Sequence, residues 1–90
     1  MRLRGKAALV TGGARGLGRA ICLAFARHGA KVAFTYAKNE EAAASLSAEL
    51  EALGQPHRAA KLSVLDGKGT EALVKELDAA RGGLDVLVNN

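Results

Sequence analysis

Thr11-Gly12-Gly13-Ala14-Arg15-Gly16-Leu17-Gly18 places four glycines within eight residues. Before it runs Ala7-Ala8-Leu9-Val10, a short apolar stretch of the kind that forms a buried strand. After it, Leu17, Ile21, Ala24 and Phe25 recur at helical spacing, and Gly29 is placed to close that helix in the left-handed conformation. A glycine-rich turn between a strand and a helix lets the backbone bend sharply and brings its N–H groups close to an anion. The helix N-terminus adds partial positive charge. Gly18 removes a side chain where the helix passes close to the sheet. One or two glycines would mark only a tight turn, but four at the head of a strand–helix unit point to phosphate binding.

Outward from this stretch the chain alternates. Lys31 to Tyr36 reads as a second strand centred on Val32, Ala33 and Phe34. Asn39 is a good N-cap for a second helix, Glu40 and Glu41 complement its dipole, and Leu46, Leu50 and Leu53 give it an apolar stripe. Gly54 and Pro56 stop it, and His57 to Leu62 is a weaker third strand. Asp66 can cap a third helix striped by Leu73, Val74, Leu77 and Ala80 and ended by Gly82-Gly83. Leu84 to Val88 is the fourth strand. Short apolar strands joined by long crossovers give an α/β fold, a Rossmann-type doubly wound parallel sheet in the order 3-2-1-4. The first two helices are expected on one face and the third on the other. Residues 1–90 read as the N-terminal part of a single dinucleotide-binding domain, ending after strand 4, which would be left as a bare edge.

Two familiar phosphate loops are excluded by the residues themselves. A P-loop needs Lys and Ser or Thr after its last glycine, and Arg19 and Ala20 stand there. The spacing Gly-x-Gly-x-x-Gly is also missing, and what remains is Thr-Gly-x3-Gly-x-Gly.

Composition narrows the classes further. The 90 residues are 49% hydrophobic and 3% aromatic, with one cysteine, so neither a disulfide nor a cysteine-based zinc site can form within the chain. The longest apolar run, Ala20 to Ala26, is too short to span a bilayer, and the basic N-terminus is not followed by a secretory apolar core. The chain therefore reads as cytoplasmic, with no membrane partner. Its charge is uneven: residues 1–39 carry eight Lys and Arg and no acid, while residues 40–90 carry five against nine Asp and Glu. A basic front end attracts anions. Few aromatics and no basic helix face argue against nucleic acid as the partner.

The glycine pattern, with Leu84-Asp85-Val86-Leu87-Val88-Asn89-Asn90 at the end of the fourth strand, resembles the short-chain dehydrogenase/reductase family. The family's cofactor motif is matched by Thr11, Gly12, Gly16 and Gly18, and its Asn-Asn-Ala-Gly motif by Asn89 and Asn90. Gly29-Ala30-Lys31-Val32 leading to Thr35-Tyr36-Ala37, with Asn39-Glu40 after it, is most similar to the 3-oxoacyl-acyl-carrier-protein reductase branch. The resemblance implies an NAD(P)-dependent oxidoreductase that passes hydride between the cofactor and a small carbonyl or alcohol substrate, in a homo-oligomeric parent protein. The backbone of Gly13 to Leu17 would hold the pyrophosphate and nearby ribose, and Asn89 would lie at the floor of the cleft. Ser63 stands where many members carry an adenine-binding aspartate; its hydroxyl can accept the same bond but without charge, so adenine recognition is expected to be weaker or carried by the backbone at Val64.

The cofactor expected is NADP rather than NAD. An NAD site places an acid near the end of the second strand, about 20 residues after the glycines. Here Thr35-Tyr36-Ala37-Lys38 supplies none before Glu40. Tyr36 and Lys38 fall where the adenosine ribose would lie, with Lys38 in reach of a 2′-phosphate, and by resemblance Arg15 points into the same area.

No catalytic residue is assigned within 1–90. The family uses a serine, a tyrosine and a lysine four residues after that tyrosine, but Tyr36 is followed at that distance by Glu40. Cys22 is read as a packed thiol, His28 as a helix-end residue and His57 as a solvent-facing one. The competing function is a dinucleotide-binding module without redox chemistry. A downstream Ser and Tyr-x3-Lys would decide for the enzyme.

Overall fold

The computed structural model describes residues 3–63, 66–81 and 83–90. Strands and helices alternate along the chain as β1 (Ala7–Thr11), α1 (Gly16–Arg27), β2 (Lys31–Tyr36), α2 (Glu40–Ala52), β3 (His57–Lys61), α3 (Gly67–Arg81) and β4 (Val86–Asn89). Among the described residues the strands form one sheet in the order β3-β2-β1-β4, with every pairing parallel. This is the expected class and strand order. No helix among the described residues is long and apolar enough to cross a membrane.

The layering follows from strand alternation. Successive side chains of a strand point to opposite faces. Val10, Val32 and Phe34 pack on one face with Cys22 and Ala26 of α1 and Ala43, Leu46 and Leu50 of α2. Leu9 and Ala33 pack on the other with Leu73 and Leu77 of α3. The central strands β1 and β2 are covered on both sides and read as continuous apolar runs, while β3 and β4 alternate between partly buried and exposed positions.

The caps fall where the residue types dictate. The Asn39 side chain accepts the Ala42 N–H at 2.9 Å, and Asp66 Oδ1 accepts the Gly69 N–H at 2.7 Å. Gly29 and Gly54 take positive φ just past α1 and α2.

Three details of the sequence reading are corrected. The inward stripe of α1 is Gly18, Cys22 and Ala26, not Leu17 and Ala24; Leu17 is 69% exposed. Small residues at i, i+4 and i+8 let the helix lie close to the sheet, which rolls Leu17 outward. In α2 the stripe is Ala43, Leu46 and Leu50, and Leu53 is its exposed C-cap. In β4 the ladder begins at Val86, because Asp85 is occupied with the start of β1. Its carboxylate accepts the Ala7 N–H at 2.9 Å, and its own N–H donates to the Ala7 carbonyl at 2.9 Å. Gly82 and the side chain of Ala80, read as the end of α3 and part of its stripe, lie outside the described residues.

Candidate functional site

The glycine loop sits at the carboxyl end of β1, next to the point where the chain leaves β1 for β2 on one side and β4 lies on the other. That is the switch point of a doubly wound sheet, where such folds open a crevice.

Packing, more than conformational freedom, explains two of the glycines. A Cβ on Gly18 would lie 2.5 Å from the Gly12 carbonyl oxygen and 2.9 Å from the Gly13 Cα. A Cβ on Gly13 would lie 2.7 Å from the Phe34 Cβ and 3.0 Å from the Cys22 Sγ. Real Cβ atoms do not come this close to such neighbours, so the helix and loop can only meet here without side chains. Gly12 and Gly16 serve the turn itself, at φ of 64° and 57°.

The loop is held by hydrogen bonds from both neighbouring strands. The Gly12 N–H donates to Thr35 Oγ1 at 3.1 Å, and the Gly13 N–H donates to the Thr35 carbonyl at 2.9 Å. Just past β4, Asn90 Nδ2 donates to the Gly12 carbonyl at 3.2 Å, and the Asn90 N–H donates to Thr11 Oγ1 at 3.1 Å. The Thr11 hydroxyl donates to Asn89 Oδ1 at 3.1 Å, in a ladder that pairs Thr11 with Asn89.

These bonds revise one expectation. The Gly13 N–H is taken by Thr35, so the backbone available to an anion starts later than Gly13. α1 begins at Gly16, and the first amides of a helix have no intrahelical acceptor. The N-cap, Arg15, makes no side-chain capping bond, and the first turn holds no acid. Among the described residues, no capping side chain and no first-turn acid meets the helix dipole at Gly16, Leu17 and Gly18.

A recess of about 720 Å³ opens beside this helix end. One wall is Gly12, Ala14 and Arg15. The other is Tyr36 at the end of β2, with Ala37, Lys38, Asn39, Glu40 and Glu41. Lys38 and Arg15 are exposed, and Tyr36 is half-buried with its ring 6.4 Å from that of Phe34. Glu40 Oε1 accepts a hydrogen bond from Lys61 Nζ at 3.0 Å, which pushes the lysine pKa up. The first acid in the recess is therefore already paired.

The predicted residues are not all brought together. Arg15, Tyr36 and Lys38 meet at the recess with Gly12. Ser63 is exposed two positions past β3, outside the recess lining, and its carbonyl accepts the Asp66 N–H at 3.0 Å in the turn before α3. Val64 lies outside the described residues. Asn89 is at the end of β4, bonded to Thr11 and not on the recess.

Cys22 is fully buried under the loop, its Sγ 4.0 Å from the Gly13 carbonyl oxygen, and burial pushes its thiol up to about 12. His28 is the C-cap of α1. His57 opens β3 half-buried, against the expectation of a solvent-facing position, with Nδ1 3.3 Å from the Gln55 carbonyl oxygen.

Sequence reasoning missed Thr35 and Arg19. The alternation of β2 shows that Thr35 is a strand residue but not that its hydroxyl meets Gly12. Arg19 counted only as the residue that breaks a P-loop. It is a residue of α1 whose guanidinium is hydrogen-bonded to both the glycine loop and α2.

Residues 6–90 match the family model described as short chain dehydrogenase. The chain belongs to the short-chain dehydrogenase family. It is 44% identical over 85 residues to the 3-oxoacyl-acyl-carrier-protein reductase FabG of Staphylococcus aureus, covering 94% of this chain and 35% of that protein. Galactitol 2-dehydrogenase of Agrobacterium fabrum is 47% identical over 90 residues, covering 100% of this chain and 34% of that protein. A short chain dehydrogenase from Burkholderia cenocepacia, solved in complex with NADP, superposes with a TM-score of 0.94 at 47% identity. That match covers 100% of this chain and 37% of that one. The chain thus spans about a third of the length of these members of the short-chain dehydrogenase family.

Proposed function

We propose that residues 1–90 hold the adenosine and phosphate end of NADP(H) for an oxidoreductase that transfers hydride between the nicotinamide and a carbonyl or alcohol carbon. The observation that carries this reading is the uncapped N-terminus of α1 beside a recess that presents Arg15 and Lys38. The amides of Gly16 to Gly18 and the helix dipole stabilise the pyrophosphate. Arg15 and Lys38 stabilise the 2′-phosphate. Glu40, the acid that would favour a ribose 2′-hydroxyl, is paired with Lys61. The NADP in the Burkholderia cenocepacia relative supports the choice of cofactor.

Thr11, Gly12, Gly13 and Asn89 act through the shape of the loop, and Tyr36 forms the wall beside the adenosine ribose. Ser63 and Val64 belong to the adenine end. No residue of 1–90 is assigned to the hydride step, for which the family resemblance implies a serine, a tyrosine and a lysine. The same resemblance implies a small-molecule substrate and a homo-oligomer, and the sequence reading places the protein in the cytoplasm.

The test is the affinity for NADP and NAD of the full-length protein and of its Arg15→Ala and Lys38→Asp variants. Charged hydrogen bonds contribute roughly 1.5–3 kcal/mol each. Two of them favour NADP by about two orders of magnitude. Each variant is expected to lose about tenfold or more of that preference. Equal affinity for the two cofactors in the unmutated protein ends the NADP assignment.

A further inference from the structure

We infer that Arg19 is a positioning residue that sets the separation of the two walls of the recess and so the fit of the ribose and phosphate groups between them. The inference rests on the reading of the recess as a dinucleotide site. Arg19 does not line the recess. Its Nη1 donates to the Ala14 carbonyl at 3.5 Å and to the Ala42 carbonyl at 3.3 Å. Its Nη2 donates to Ser45 Oγ at 3.0 Å and lies 3.2 Å from Glu49 Oε1, with the side chain only 24% exposed.

Ala14 belongs to the glycine-loop wall. Ala42 is one turn into α2, and its N–H is capped by Asn39, which is part of the opposite wall. Among the described residues, the amides of Gly12 and Gly13 donate to Thr35 at the end of β2, and not to α2. The guanidinium is therefore the polar link between the walls at the level of the recess. Its planar fork carries five donors in fixed directions and here meets four acceptors on two elements, one more than the three donors of an ammonium could serve. Ser45 and Glu49 on α2, neither of which lines the recess, hold the fork in orientation.

The test uses the full-length protein, titrated with NADP, together with amide hydrogen exchange in its absence. Arg19→Met keeps the apolar stem and removes the fork. It is expected to weaken NADP binding about tenfold and to speed exchange at Ala14 to Leu17 and at Lys38 to Glu41. Ser45→Ala and Glu49→Gln lie outside the recess. Each should weaken NADP binding by about threefold alone but add nothing in the Arg19→Met background. Arg19→Lys should fall between the unmutated protein and Arg19→Met, and the Ser45→Ala result stands even where the arginine variants fold poorly. Unchanged exchange at both walls, or equal effects of Ser45→Ala in both backgrounds, overturns the inference. An unmutated protein that binds no NADP instead overturns the cofactor reading, while the exchange measurement still decides whether Arg19 couples the walls.

Discussion

The hydroxyl oxygen of Thr35 accepts the Gly12 N–H at 3.1 Å, joining residues 23 positions apart in sequence. The carbonyl of the same residue accepts the next amide, Gly13, at 2.9 Å. One buried threonine at the end of β2 thus fixes two consecutive peptides of the glycine loop. The loop reaches α1 already shaped, so a phosphate bound as proposed would meet a preorganised helix end and would not have to order it.

Thr35→Val keeps the shape of the side chain and removes the acceptor. The Gly12 N–H is then left without its partner, a loss of about 1–3 kcal/mol for a buried group. Gly12 is only half-buried, which places the expectation near about 1 kcal/mol. Urea denaturation of the full-length protein reads this, and Thr35→Ser should recover most of the difference. A valine variant as stable as the original, with unchanged NADP affinity, would remove Thr35 from the account.

The glycines of the loop should rank by what a Cβ meets. Gly18→Ala puts a methyl 2.5 Å from the Gly12 carbonyl oxygen and 2.9 Å from the Gly13 Cα, both backbone atoms that can yield only if α1 moves. Gly13→Ala meets the Phe34 Cβ at 2.7 Å. Overpacking of this kind destabilises by about 1–3 kcal/mol, and Gly18→Ala is expected at or beyond the top of that range. Gly16→Ala meets nothing within 4 Å and carries only the strain of its positive φ, about 1–2 kcal/mol. Gly67→Ala, in open space without a positive φ, should be neutral or stabilising by up to about 1 kcal/mol. Thermal melts of the four variants check the order, and a Gly18→Ala protein as stable as Gly67→Ala would contradict it.

The sequence was legible where one residue type answers one local need. Asn39 and Asp66 cap helices because a short side-chain oxygen reaches the amides of the first turn, and Gly29 and Gly54 end helices because they accept positive φ. The strand order followed from short apolar runs separated by long crossovers. Contacts made by rotation or register were less legible. Gly18 was read from the glycine motif as the point of close approach, and it is, but the apolar periodicity that put its neighbour Leu17 on the inward face does not contain the rotation this approach imposes on α1. Thr35 and Gly12 meet because β1 and β2 pair in a particular register, with Val10 opposite Phe34. Arg19 reaches Ala42 and Ser45 across two helices, a distance in sequence that local spacing cannot report. Of the residues read as cofactor-binding, Gly12, Arg15, Tyr36 and Lys38 meet at the recess, while the bonds that shape it were not legible.

Cys22 gives the stability of the fold a defined alkaline limit. The thiol is fully buried, and burial raises it from an ordinary value of 9.0 to about 12. In the unfolded chain it ionises near 9.0, while in the folded chain it holds its proton to about 12. Between those values the unfolded state has released a proton that the folded state retains, so stability falls as pH rises through that window. Below it, both states are protonated and Cys22 confers no pH dependence. The expected slope attributable to this residue is roughly 1.4 kcal/mol per pH unit once the unfolded thiol is ionised. Cys22→Ala has a constant packing penalty, about 1 kcal/mol or more from the vacated space under Gly13, but it has no thiol to titrate. Urea unfolding free energies of both proteins from pH 7 to pH 11 separate the two effects, since the packing loss shifts the whole curve and the titration changes only its alkaline limb. The two curves should run parallel to about pH 9, converge above it and, for a packing loss of about 1 kcal/mol, cross before about pH 11. Curves that stay parallel across the whole range would show that the thiol ionises in the folded protein as readily as in the unfolded chain.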